Sequence, residues 1–105
     1  MEIKEFHELI NTVFPSAFWE WPKGKAPKPP YITYFEPNAV NFGADNKVYY
    51  SGHRIAVELI TLTRDIEAER AVEALFDAND FYWDKEVTHL DDEDCFEAIY
   101  YLEVK

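Results

Sequence analysis

HRIAVELITLTRDIEAERAVEALFDAN, residues 53–79, carries the two periodicities that decide the fold. In its first half Ile55, Val57 and Leu59 alternate with Arg54, Ala56 and Glu58, the period-two pattern of a strand with one buried face. Ile60 and Leu62 then fall on the other face, which predicts that the far end of this strand is covered on both sides. From Thr63 the period changes to that of a helix. Ala68, Ala71, Val72, Leu75 and Phe76 form an apolar stripe, and Glu67, Glu69 and Glu73 are placed on the solvent side. Thr63 and Asp65 offer capping oxygens at its start, and Asn79 is suited to a left-handed terminator.

Downstream of the helix, residues 81–90 put Phe81, Trp83 and Val87 on one strand face. Asp91 to Asp94 make a turn, and residues 96–104 return with Phe96, Ala98, Tyr100, Leu102 and Val104 on one face. Upstream, Tyr31–Glu36 is a strand bounded by Pro30 and Pro37. Residues 37–47 carry turn chemistry at both ends and read as a long, protruding hairpin connection. Residues 48–50 form a short strand, separated from 53–63 near Ser51-Gly52. Residues 2–14 are helical, with Ile3, Phe6, Ile10 and Val13 on one side and Pro15 as the stop. The order α-β-β-β-α-β-β predicts an α+β fold: an antiparallel or mixed sheet of about four to five strands with both helices on one face. The chain is read as one domain, 1–105, and residues 16–30 as a Pro/Lys/Trp-rich connecting segment within it.

That segment, SAFWEWPKGKAPKPP, has four prolines and three of the ten basic residues, Lys23, Lys25 and Lys28, directly after Trp19 and Trp21. It is extended rather than helical. Two readings stand: a connection whose tryptophans lie on the core, or a docking arm for a partner.

The 105 residues suffice for one core, supplied by seven Tyr, eight Phe and three Trp. Twenty-one acidic against ten basic residues give a net charge of −11, which opposes binding to phosphate backbones. The aromatic content separates the chain from acidic disordered sequences. A lone Cys95 rules out an internal disulfide, and residues 1–15 lack the pattern of a signal peptide. With no run of about 20 apolar residues, the chain is expected to be soluble and intracellular when made.

Catalytic chemistry finds no footing. Three scattered glycines cannot build a phosphate loop, and His7, His53 and His89 share no metal-ligand spacing. They read as surface or half-buried side chains, and Cys95, with no base beside it, as a small buried hydrophobe. Asp91-Asp92-Glu93-Asp94 lacks the spacing of a calcium loop and reads as a solvated turn, with an ion site as the alternative. The chain is read as a non-enzyme, with no catalytic residue, cofactor or metal site.

As a whole the sequence resembles the small tail-completion, tail-terminator or head–tail joining proteins of long-tailed bacteriophages and prophages of Gram-positive bacteria. The pieces that carry the likeness are PPYITYF (29–35), FGADNKVYYSGHRIAVELIT (42–61), FYWDKEVTHL (81–90) and FEAIYYLEV (96–104). Trp19-Glu20-Trp21 with its lysines goes beyond that family's pattern.

The resemblance implies a structural subunit that forms a homo-oligomeric ring, a hexamer, at the head–tail interface. Its partners would be further copies of itself, the major tail tube protein and the head-completion or connector protein. DNA would pass without being specifically bound, and no membrane is involved. The implied location is the bacterial host cytoplasm during assembly and then the top of the tail in the virion. The implied contacts lie on two loops, giving Trp19, Trp21, Lys23, Lys25 and Lys28 in the first and Asn41, Phe42, Asp45, Asn46 and Lys47 in the second. The rival expectation is a small acidic interaction or inhibitor protein that imitates DNA charge and blocks a nucleic-acid enzyme.

Overall fold

Two helices lie on one face of a five-stranded mixed sheet. The computed structural model describes residues 2–44 and 47–104, with the backbone alone described at 37–44 and 47–53. Along the chain come α1 (Ile3–Ile10), β1 (Ser16–Phe18), β2 (Tyr31–Ala44), β3 (Lys47–Thr61), α2 (Ile66–Ala78), β4 (Trp83–Leu90) and β5 (Cys95–Val104). The sheet order is β1-β2-β3-β5-β4, antiparallel throughout except that β1 runs parallel to β2. The α+β class agrees with the pattern in the sequence, although the three strands before α2 are not the three expected.

The alternation in β3 decides which face is covered. Ile55, Val57 and Leu59 point to the helices and meet Phe6 and Ile10 from α1 and Ala68, Val72 and Phe76 from α2. Ile32 and Tyr34 from β2, with Ala98, Tyr100, Leu102 and Val104 from β5, complete this core. Each large apolar side chain fully buried here stabilises the fold by roughly 1.5–3 kcal/mol. Phe81 bridges the helices: its ring lies 6.1 Å from Phe6 and 6.4 Å from Phe76.

Several boundaries differ from the sequence pattern, each for a physical reason. Residues 48–50 and 53–63 are not two strands; Ser51 and Gly52 lie within β3, paired to Asn41 and Val40. Likewise 37–47 is not an open connection, because Asn38–Ala44 continues β2 in register with β3 past a bulge after Phe35. Only β2 and β3 extend this far. Beyond His53, whose β5 partner is Val104, they run on as a two-stranded arm. At about 3.3 Å per residue the arm reaches about 20 Å past the sheet. The whole of β3 then matches the 50 Å long axis of a molecule 29 and 25 Å across.

Ser16–Phe18, expected inside the connecting segment, is a strand. Its pairing to β2 comes from backbone groups, with Ile32 N–H donating to Pro15 O at 2.8 Å and Trp19 N–H to Tyr34 O at 2.7 Å. The first helix stops at Ile10 and not at residue 14, and Asn11 closes it with its N–H donating to His7 O.

Helix α2 starts where expected, with the Asp65 carboxylate accepting from Ala68 N–H at 3.0 Å. At its end Asp80, and not Asn79, holds the left-handed conformation (φ 58°). Phe81 N–H then reaches back to Phe76 O and Asp80 N–H to Asp77 O, closing the last turn. The apolar stripe is rotated from the pattern, since Ala71 is exposed and Glu69 is buried. Ile60 is covered on the far face as expected, whereas Leu62 is 64% exposed beyond the end of β3.

Among the described residues no helix is long and apolar enough to cross a membrane.

Candidate functional site

The structure does not gather the ten nominated contact residues into one site. Trp19, Trp21, Lys23, Lys25 and Lys28 belong to the segment between β1 and β2, on the face of the sheet away from the helices. Asn41, Phe42 and Lys47 lie on the arm, where only the backbone is described, and Asp45 and Asn46 lie outside the described residues.

The two tryptophans are held differently. Trp19 has a left-handed backbone (φ 70°), and the Glu20 N–H closes a three-residue turn on Phe18 O at 2.9 Å. A bulky residue in this conformation is strained. It nevertheless puts the Trp19 ring in a stack on Phe35, 5.4 Å between centroids, at the base of the arm. The ring stays 57% exposed. Trp21 turns inward, its indole N–H donating to Ile32 O at 3.2 Å and its ring meeting Tyr31 edge-on at 6.1 Å. The tryptophans thus lie on the sheet, and the three lysines stay exposed, with no side-chain ion pair or hydrogen bond among the described residues.

Between this segment and the sheet lies a cleft of about 360 Å³. Trp19, Glu20 and Trp21 line it from the connecting segment, Tyr31, Glu58 and Glu97 from the sheet, and Glu93 from the 91–94 turn. β3 and β5 pair Glu58 with Ile99 and Ile60 with Glu97, which makes the two glutamates diagonal neighbours on one face. Their carboxyl groups are close enough for Glu58 to act on the ionisation of Glu97. Thr33 Oγ1 donates to Glu58 Oε2 at 3.3 Å.

Burial first, and then the charge of Glu58 and a hydrogen bond with it, push the Glu97 carboxyl up to about 7 from 4.5. Glu93 adds to this. Glu97 therefore keeps its proton well above the ordinary carboxylate range. Cys95 sits at the edge of the same face, buried, with its thiol pushed up by desolvation and by Glu93, so it is no activated nucleophile.

The helix side holds a second polar group, and there every charge is paired. Glu69, with 4% of its side chain exposed, accepts from Arg64 Nε at 2.8 Å and from Lys85 Nζ at 3.0 Å. Lys85 also reaches Glu73 at 2.8 Å, and the Tyr100 hydroxyl donates to Glu73 at 2.7 Å. Burial favours the neutral form of Glu69, but Arg64 and Lys85 outweigh it and hold the carboxyl below its ordinary range. Glu69 and Glu73 were assigned to the solvated side of α2. Lys85 on β4 accounts for the difference, because its ammonium makes an inward carboxylate favourable.

The remaining nominated groups are set in the surface. His7 Nδ1 bonds the Tyr34 hydroxyl, and burial pushes that phenol up to about 12. His89 bonds Asp91 at 2.7 Å across the exposed 91–94 turn. Among the described residues no three His, Cys, Asp or Glu side chains are arranged to hold a metal ion.

No family model, curated protein or solved structure matches this chain.

Proposed function

We propose that the chain is a structural subunit that works by protein–protein contact, joining tail to head in a long-tailed phage as one member of a ring. The observation that carries this reading is the β2–β3 arm, which leaves the sheet as two strands and reaches about 20 Å beyond it. A projecting ribbon contributes little to the core of its own chain but can cross to a neighbour.

Ring closure needs two unlike patches meeting head to tail. The unpaired Lys23, Lys25 and Lys28 on one side and the acidic surface elsewhere supply opposite charge for that contact. A net charge of −11 suits a ring that lets DNA pass without holding it. The chain would act in the bacterial host cytoplasm during assembly and then at the head–tail interface of the virion. No enzymatic step is assigned to it.

Mass photometry of the purified chain, alone and with purified tail tubes, tests the proposal. Ring-sized species should form on or with the tubes. Reversing Lys23, Lys25 and Lys28 together to Glu should leave the monomer folded and prevent that assembly. A wild-type chain that stays monomeric and ignores tubes overturns the reading.

A further inference from the structure

The cleft under the Trp19–Pro30 segment has a composition that its own chain leaves incomplete. Two carboxyl groups, Glu58 and Glu97, are neighbours on its floor, and two more, Glu20 and Glu93, also line it. Among the described residues none of the four has a Lys, Arg or His partner. The cations that are paired go elsewhere: Arg54 to Glu103, Arg64 and Lys85 to Glu69, and Lys85 also to Glu73. The contrast with Glu69 is direct, since that buried carboxylate has two cationic partners.

The walls match the floor. The Trp19 face is stacked on Phe35 and 57% exposed, and Trp21 is pinned by its indole hydrogen bond and its contact with Tyr31. Flat aromatic faces attract cations through the ring quadrupole, most strongly for Trp. A planar guanidinium also makes two parallel hydrogen bonds to a carboxylate. The cleft, about 360 Å³, is near the small end of ligand sites and has room for one long side chain. Charge complementarity therefore points to a single kind of occupant.

We propose that this cleft is a docking site for a cationic side chain, an arginine or lysine carried by a partner protein. The entering cation takes the place of the proton held on Glu97. It pairs with the two ionised carboxylates while the aromatic walls cover its stem, and the proton passes to solvent. The inference goes beyond tail joining and holds for any partner that presents such a residue. Its test uses the isolated chain, so failed assembly on tail tubes leaves it standing, and failed peptide binding leaves the assembly reading standing.

The probe is the blocked tripeptide acetyl-Gly-Arg-Gly amide, with acetyl-Gly-citrulline-Gly amide as the neutral isostere. Both are titrated into the full chain at low ionic strength and followed by NMR at the Trp19 and Trp21 indole N–H and the Glu58 and Glu97 amides. Because the cation competes with a proton held to about pH 7, arginine-peptide affinity should be roughly tenfold higher at pH 8 than at pH 6. The citrulline peptide should show weaker binding and no pH dependence.

Glu97→Gln should lose most of the affinity and all of its pH dependence. Trp19→Ala, at an exposed wall position, should weaken binding several-fold with the fold intact. Should Glu97→Gln perturb the fold, the Trp19→Ala result and the citrulline comparison decide alone. Equal binding of the two peptides, a pH-independent arginine affinity, or shifts that map away from the cleft would overturn the proposal.

Discussion

Replacing Glu97 by Gln should make the protein more stable at alkaline pH. In the folded chain Glu97 keeps its proton up to about pH 7, first because burial disfavours its charge and then because Glu58 lies against it. In the unfolded chain it loses that proton near 4.5. Between these values the folded state binds more protons than the unfolded one. The stabilising contribution is thus complete below pH 4.5 and is lost as pH rises through about 7. Taken whole, the difference between 4.5 and about 7 is worth about 3.4 kcal/mol, at 1.36 kcal/mol per tenfold. Glu97 is only half-buried, and screening by water reduces this to about 1–2 kcal/mol.

The amide of the variant is neutral at every pH and can still donate a hydrogen bond to Glu58. Urea unfolding of both proteins at pH 5 and pH 8 measures the effect, with the denaturant slope as a control on compactness. Wild type should lose about 1–2 kcal/mol relative to the variant across that interval, ending as the less stable protein. Parallel stability profiles for the two proteins would refute the raised Glu97 carboxyl and the geometry behind it.

Lys85→Met should destabilise the fold by about 2 kcal/mol. That is less than the 3–5 kcal/mol of a fully stranded buried charge, because Arg64 still pairs with Glu69; chemical denaturation at pH 7 reads it directly. Phe76→Ala removes a fully buried ring that touches Phe81 and Tyr100, and should cost about 3–5 kcal/mol, seen as a lower denaturation midpoint.

The core was legible in the sequence because it rests on local periodicity. Ile55, Val57 and Leu59 at period two, and Ala68, Val72 and Phe76 at helical spacing, point to one interior without knowledge of any partner strand. Pairing was harder to read. Gly52 and the Asn and Gly residues of 38–46 carry turn chemistry, yet most of that stretch is strand, since β2 and β3 satisfy each other's backbone whatever their side chains. Ser16–Phe18 was hidden for the same reason: its three residues follow Pro15 and are held in the sheet by main-chain bonds to β2.

The cleft was not legible either. Glu58 and Glu97 are 39 residues apart and become neighbours only through the register of β3 on β5. Each alone looks like an ordinary solvent-facing glutamate on an alternating strand. In the sequence the tryptophans stand out for the lysines that follow them, yet Trp19 and Trp21 line the cleft and those lysines do not.

The acidic surplus therefore does three separate jobs, and only one of them follows from the count. Most carboxylates lie in water, where they govern solubility and repulsion from nucleic acid. Glu69 is buried and doubly paired, so it supplies stability above the ordinary carboxylate range that is lost as pH falls. The Glu58–Glu97 pair has the opposite sign, because its contribution is lost as pH rises. The same residue type, on opposite faces of one sheet, thus stabilises the fold from one side of pH 5 and weakens it from the other. The difference lies in the cation each face provides: Lys85 reaches across from β4 to Glu69, and among the described residues no Lys, Arg or His side chain reaches Glu97. Two carboxylates of one chain thus answer a change of pH in opposite senses, because a cation stands beside one of them and a second carboxyl beside the other.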